Sequence, residues 1–501
     1  MIRKSGCVGS LFILLFISDV LSDKVIVDPS KCKVWGPGLT PDKIVHPARY
    51  FFIETFDKHG RINRPLPEKF NVKIIGTGPY GACRYQQNQI DRGDGSVIIR
   101  YKIIEWCDDI QISVKYNGSD IGDSPYHIRG RVHSSKCYCP QDLSTWLYNN
   151  KCPKQIEKIT WDLQAFKKVN FTAIRTNLIK RYGGNPGGVS FCNYVIKNQE
   201  IYRTCHGKYT GFKMFPDATL LALGKVVMLP DMEFFINLGD WPLSKKGGQQ
   251  RTSGPYPIFS WCGSSDSHDI VLPTYDLMES TLENMGRVSL DMLSAQEEEF
   301  SWKDKEDKAF WRGRDSRQER LDLVKLSRKY PNLINASLTN FFFFKDAELE
   351  LGPKEAHIPF TEFFKFKYLI NIDGTVAAYR MPFLLAGNSV VLKQESPFYE
   401  HFYSELKPLK HYIPLKRDLS DLIEKIQWAK KHESKVKEII QNAREYVNEN
   451  LLPVDIFCYH MVLFKEWSSR LISDITIDKD MEKVEQDFTC KCERHHIRDE
   501  L

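Results

Sequence analysis

After residue 22, this 501-residue chain has no apolar run approaching the roughly 20 residues that a membrane-spanning helix needs, so no insertion into a bilayer is expected. It also lacks a surplus of one charge. Lysine and arginine number 70 against 64 acidic residues, a net +6 interspersed along the chain, which argues against a nucleic-acid-binding surface. Neither close cysteine pair, Cys137/Cys139 or Cys490/Cys492, has the Cys-x-x-Cys spacing that lowers a thiol pKa at a strand-to-helix junction, and no histidine stands at finger spacing from them. A thiol–disulfide oxidoreductase and a zinc finger are therefore disfavoured, and structural staples at the two ends of the larger domain are the better reading. No Asp-x-Asp follows a strand in the α/β part of the chain, so nothing suggests a metal-chelated diphosphate.

What is present begins with the two ends. Arg3 and Lys4 precede the apolar Leu11–Ile17 and then Val20-Leu21-Ser22, the pattern of a secretory leader over residues 1–22. The last four residues, Arg498-Asp499-Glu500-Leu501, are a close variant of the Lys-Asp-Glu-Leu retrieval signal, so a retrieval receptor is an expected partner and the lumen of the endoplasmic reticulum the expected location. Of 13 cysteines, Cys7 would leave with the leader; the remaining 13 − 1 = 12 suit pairing in an oxidising compartment. Sequons at Asn117, Asn170 and Asn335 are candidate glycosylation sites.

The chain length suits two or three domains. Residues 23–131 alternate short β-rich runs (50–53, 71–75, 97–101, 110–114) with turn residues such as Gly60, Gly76 and Asn117-Gly118, which predicts one β-sandwich. Residues 137–465 read as α/β. Runs such as Phe234–Leu238, Tyr368–Ile372 and Ser389–Leu392 are apolar on both faces, as strands of a parallel sheet covered by helices would be. The length implies two such lobes and a cleft. A long amphipathic helix with a break is expected over about 419–451, and residues 466–501 read as a loosely held charged tail.

Ligands of open α/β sheets bind beyond the carboxyl ends of the strands, and three strand ends carry unusual residues. At Asn237-Leu238-Gly239-Asp240-Trp241-Pro242, a carboxylate leaving a buried strand beside an indole would have the raised pKa of a general base, or would merely cap a turn. At Phe310-Trp311-Arg312-Gly313-Arg314-Asp315-Ser316-Arg317, three guanidinium groups surround a turn, with Asp315 or Ser316 placed to cap a helix starting near Arg317. Phosphate binding is one reading, and a solvated cluster paired with Glu319 and Asp322 the other. At Asn371–Arg380, a strand leads through Gly374 and Thr375 into a helix that opens on Val376, Ala377, Ala378, Tyr379 and Arg380. This βαβ unit lacks both G-x-G-x-x-G and a Walker A sequence, which leaves a nucleotide diphosphate as the fitting ligand.

Together with Pro257–Cys262, His411–Pro414 and Asp455–Tyr459, these segments resemble, in order, the catalytic domain shared by protein O-glucosyltransferases and fungal capsule-associated glycosyltransferases. Trp35–Leu39, Asp94–Ser96 and Ser124–Tyr126 resemble a filamin-type immunoglobulin repeat. With the retrieval tetrapeptide, the combination resembles the KDEL-motif-containing subgroup of that glucosyltransferase family. The resemblance implies a GT-B fold of two Rossmann-like lobes, and a monomer is expected. It implies inverting, metal-independent and cofactor-free transfer of glucose from UDP-glucose to a serine of folded epidermal-growth-factor-like repeats of Notch or fibrillin type, with UDP-xylose as an alternative donor. It places the catalytic aspartate on Asp240 and donor binding on Arg312, Ser316, Arg317 and the Gly374–Arg380 turn, with Trp241, Ser260 and Asp276 as substrate contacts. The implied disulfides are Cys139–Cys152 and Cys137–Cys458, with Cys192–Cys205 added from its position on a hairpin. Two other classes stay open: a lumenal binding protein or chaperone, and a glycoside hydrolase that pairs Asp240 with a second acid.

Overall fold

The computed structural model describes residues 27–40, 49–62, 70–91, 95–183, 189–247, 255–283, 289–290, 301–485, 488 and 490–492. The leader and the retrieval tetrapeptide lie outside the described residues. Among those described, no helix is long and apolar enough to cross a membrane.

The N-terminal region is a sandwich of β1 (Lys33–Trp35), β2 (Arg49–Glu54), β3 (Asn71–Gly78), β4 (Gly81–Ala82), β5 (Tyr85–Asp91), β6 (Ser96–Ile103), β7 (Trp106–Tyr116), β8 (Ser119–Asp120) and β9 (Tyr126–His133). One sheet runs β1-β2-β6-β5 and the other β4-β3-β7-β8, with β9 also on β7. Alternate residues Phe51, Ile53, Val97, Ile99, Ile112 and Val114 fill the space between the sheets. Asn117 (φ 48°) and Gly118 (φ 84°) make the tight turn from β7 to β8, where the sequence carries the Asn-Gly hairpin signal.

A short strand, β10 (Cys137–Tyr138), leads into the first α/β lobe, built on β11 (Phe191–Lys197), β12 (Glu200–His206), β13 (Met232–Asn237), β14 (Ile258–Ser260) and, beyond β15 (Gly263–Ser264), β16 (Ile270–Val271). β13, β14 and β16 are parallel, but β11 runs antiparallel to both neighbours. The expectation of a wholly parallel sheet fails here because Asn198 and Gln199, both at positive φ, fold β11 directly back into β12. Cys192 faces Cys205 across that hairpin and is bonded to it, as expected.

The second lobe holds β17 (Glu306–Arg314), β18 (Ile334–Asn340), β19 (Phe366–Asn371), β20 (Val390–Gln394) and, beyond β21 (Phe398–Tyr399), β22 (Ile413–Leu415). Its five strands are parallel in the order β18-β17-β19-β20-β22. In chain order that is 2-1-3-4-5, so connections leave in opposite directions from β17 and β19, and a crevice opens beyond their carboxyl ends. The amphipathic stretch after β22 forms helices Leu422–Lys431 and Glu433–Asn450, broken at His432. β15 pairs with β21, joining the lobes.

The charged C-terminal segment is not loosely held up to Cys492. The helix Pro453–Ser468 runs through the core, β23 (Glu482–Lys483) extends the first lobe's sheet along β12, Val484 is buried, and β24 (Cys490–Lys491) lies parallel to β10. This return corrects the cysteine pairing. Cys139 bonds Cys492 (Cα–Cα 5.0 Å) and Cys152 bonds Cys458 (5.3 Å), so Cys139–Cys152 and Cys137–Cys458 do not form. Cys137 is also in a disulfide, Cys83–Cys107 links β7 to the residue after β4, and Cys32 and Cys262 are buried free thiols. The two Cys-x-Cys segments are thus staples, but across the ends of the chain rather than within each end.

Candidate active site

A cleft of about 390 Å³, within the range of small-molecule sites, opens between the lobes. The first lobe lines it with Asp240, Tyr275 and Asp276. The second contributes Arg312, Gly313, Arg314, Ser316, Arg320, Thr339, Asn340 and the whole turn from Gly374 to Arg380. Asp240 lies three residues beyond the end of β13. Asn237 shapes that exit, its carboxamide accepting from Gly239 N (2.9 Å) and donating to Trp241 O (2.7 Å). Burial raises the Asp240 carboxyl above the ordinary carboxylate range; Asp276 adds to the rise and Arg314 opposes it. Among the described residues no hydrogen bond or ion pair engages this half-buried carboxylate, so its oxygens are chemically able to accept a proton.

Opposite stands an arginine wall. Arg320 is 4% exposed, and its guanidinium donates to Asp373 O (2.7 Å), Arg314 O (2.9 Å) and Ile372 O (3.2 Å), tying the ends of β17 and β19 together. Arg317 does the same to the turn, donating to Gly374 O (2.6 Å) and Thr375 O (3.0 Å). Arg380 donates to Arg312 O (2.5 Å); burial lowers its pKa to about 10, still charged at neutral pH. Gly313 lets it in: a β-carbon there would stand 3.1 Å from Arg380 Nη2 and 2.7 Å from Trp311 Cζ2. Among the described residues, none of Arg312, Arg314, Arg317, Arg320 and Arg380 has a carboxylate at ion-pair distance. Glu319 pairs instead with Arg417, and Asp322 accepts from Gln318, so the solvated-cluster reading fails. Guanidinium groups without carboxylate partners, with Arg320 buried, Arg312, Arg317 and Arg380 half-buried and Arg314 exposed, suit an arriving anion.

Several expectations change in detail. Arg312 lines the cleft, but its guanidinium donates to Asn335 Oδ1 (2.8 Å) and two carbonyls. The stretch Gly374–Arg380 is an irregular turn, and the helix Met381–Ala386 starts only after it. Asp315 and Ser316 do not cap the helix Gln318–Lys329. Asp315 is buried and accepts from the N–H groups of Phe342, Phe343 and Phe344, holding the loop beside Asn340. Ser260 is fully buried, bonded to Asp269 and Asn237, and outside the cleft. Trp241 is half exposed and is not among the residues lining the cleft; its ring stands against Phe398 (5.6 Å) and under Arg317 (5.9 Å). Sequence reasoning missed Arg320, Thr339, Asn340 and His357, which also line the cleft. Of the sequons, Asn117 and Asn170 are exposed, Asn170 also capping the helix Phe171–Tyr182, whereas Asn335 is half-buried within β18. His133, Cys139 and Cys492 form the one metal-ligand-like cluster among the described residues, and both thiols are in the disulfide.

Comparison with known proteins matches residues 148–500 to the family described as glycosyl transferase family 90 and residues 26–127 to the filamin/ABP280 repeat. Protein O-glucosyltransferase 2 of Danio rerio is 47% identical over 481 residues, and protein O-glucosyltransferase 3 of Homo sapiens is 42% identical over 480, each alignment covering 94% of both chains. Protein O-glucosyltransferase 1 of Homo sapiens is 32% identical over 266 residues, 51% of this chain and 67% of that protein. The crystal structure of TarM aligns over 32% of this chain and 35% of its own at a TM-score of 0.26 and 14% identity, too slight a likeness to argue from.

Proposed function

Because this chain belongs to glycosyl transferase family 90, and is an enzyme whose relatives are protein O-glucosyltransferases, we propose that it transfers glucose from UDP-glucose to serine hydroxyls of epidermal-growth-factor-like repeats, with inversion, in the lumen of the endoplasmic reticulum. The observation that carries this reading is the shared cleft: half-buried Asp240, with Asp276 nearby, lines one side, and the other carries arginines that have no carboxylate partner among the described residues. Two lobes flanking a cleft suit a GT-B transferase, with the diphosphate beyond β17 and β19 against Arg314, Arg380 and the Gly374–Thr375 backbone.

In the proposed reaction the Asp240 carboxylate takes the serine proton as the hydroxyl oxygen attacks the anomeric carbon. The bond from that carbon to the β-phosphate oxygen breaks, and the arginines stabilise the charge gathering on departing UDP. Arginines in this role make the proposed transfer metal-independent, so activity should survive EDTA. Asp276 shares the cleft and supplies the second acid a two-carboxylate hydrolase would need, but a hydrolase has no diphosphate for the arginines to hold. An intact Asp240 and intact arginines leave a non-catalytic chaperone without support. Disulfides in both parts of the chain suit an oxidising lumen.

The test is purified protein with a folded epidermal-growth-factor-like repeat and UDP-glucose or UDP-xylose, read by intact mass. A gain of one hexose from UDP-glucose supports the reading. A pentose gain exclusively from UDP-xylose would move the donor, and no gain from either would sink the transferase proposal.

A further inference from the structure

The N-terminal sandwich is built into the larger domain rather than tethered to it. An outer sheet of a sandwich ordinarily turns polar residues to water, yet β2 and β6 are buried on both faces. Phe51, Ile53, Val97 and Ile99 fill the sandwich interior, while Tyr50, Phe52 and Ile98 join the core of the α/β body. On that second face, two residues apart along β6, stand Arg100 and Lys102. Both form ion pairs with Glu283 of the α/β body, and Arg100 also reaches Ser289 Oγ (3.4 Å). The side chains of Arg100 and Glu283 are 9% and 18% exposed, so this contact is largely out of water.

Glu283 sits just past the helix Tyr275–Thr281 and its cap, Leu282. Its φ of 54° is a left-handed conformation that helix ends usually assign to glycine. A non-glycine residue persists there when its surroundings fix it, and here the side chain is gripped by two cations. At the other end of the same short helix, Tyr275 and Asp276 project into the cleft. The Tyr275 ring meets Trp261 (5.7 Å) and Tyr379 (5.6 Å) edge-on and stacks on Phe215 (4.7 Å). Glu283 lies seven positions after Asp276, joined to it by the helix as far as Thr281 and by the cap Leu282, so a change of seat at one end moves the other.

We propose that the filamin-type sheet is a working part of the transferase, with Arg100 and Lys102 acting through Glu283 as positioning residues that set Tyr275 and Asp276 against Asp240. The inference rests on the transferase reading above. It predicts a signature beyond stability, because Asp276 is one of the groups Asp240 senses. Arg314 faces the same carboxyl with opposite sign, and among the described residues Tyr379 and Cys262 also sense Asp240. Moving Asp276 away removes a like charge, lowers the Asp240 pKa, and carries the acid limb of the kcat–pH profile to lower pH.

The experiment uses the full chain with Glu283→Lys, which repels both partners, and the reversal Arg100→Glu/Lys102→Glu/Glu283→Lys. Expected for the single variant are a native-like circular dichroism spectrum, a kcat reduced at least tenfold, an acid limb displaced downward, and faster hydrogen exchange at the amides of 277–282. The triple variant should recover most of the rate and the original limb. If Glu283→Lys does not fold, Glu283→Gln is read in the same way. A folded single variant with wild-type kcat and pH profile overturns the inference, as does a folded triple variant no better than the single. An inactive wild type would instead overturn the transferase reading, a separate outcome.

Discussion

The two walls of the cleft differ in charge, in construction and in origin. The first lobe supplies Asp240 and Asp276 from a strand exit and a seven-residue helix, in a sheet of mixed direction. The second lobe supplies Arg312, Arg314, Arg320 and Arg380 from the switch between β17 and β19 of a parallel sheet, where a crevice is a consequence of topology. On the carboxylate wall, the Asp240 proton affinity is raised by burial. The arginine wall is braced internally, with Arg317 and Arg320 given over to backbone carbonyls. In the proposed reaction the difference becomes a division of labour: one wall takes a proton, and the other is pre-arranged to receive charge.

That division can be broken from either side. The largest effect is expected from Asp240→Asn, which keeps size but removes basicity; transfer should fall roughly 10²–10⁴-fold, measured by intact mass over time. Arg380→Ala should weaken UDP binding by about 1.5–3 kcal/mol, the range for a hydrogen bond to a charged group, measured by calorimetry. Arg312→Ala should lose less, since the Arg312 guanidinium is already taken by Asn335. A pH profile sharpens the first wall: because the raised Asp240 pKa belongs to a base that must be unprotonated, kcat should climb with pH through a limb above the ordinary aspartate value of about 3.9. A limb at or below that value would remove Asp240 from the role. The smallest effect belongs to Trp241, which reaches from the first lobe to Phe398 and Arg317 of the second. Trp241→Ala removes its cation–π contact with Arg317, about 0.5–1 kcal/mol at an exposed site, and should raise the donor KM no more than about fivefold.

Much of this site was legible because strand-end chemistry is local. Asp240 after an apolar run, Arg312-Gly313-Arg314 after an aromatic run and Gly374-Thr375 after another each announced a strand exit, and all line one cleft. Arg320 was missed because nothing local marks an arginine in a helix's first turn as a brace; its partners are carbonyls some fifty positions away. Thr339, Asn340 and His357 were missed for the same reason, being brought in by tertiary folding. The cysteine pairing was illegible because the tail returns to β10 across 353 residues, so adjacency along the chain was the wrong guide. Conversely, Gly76-Thr77-Gly78-Pro79-Tyr80-Gly81 has G-x-G-x-x-G spacing, yet it lies in the β3–β4 hairpin of the sandwich, far from any strand-to-helix exit. Spacing without that context carried no chemistry.

The division of labour is tested most directly by titrating UDP into Asp240→Asn and Arg380→Ala, both confirmed folded, under one set of calorimetric conditions. The account predicts UDP affinity at least equal to wild type in Asp240→Asn, because a negative charge has left the cleft, and affinity at least tenfold weaker in Arg380→Ala. Equal losses in the two variants, or a loss confined to Asp240→Asn, would contradict it.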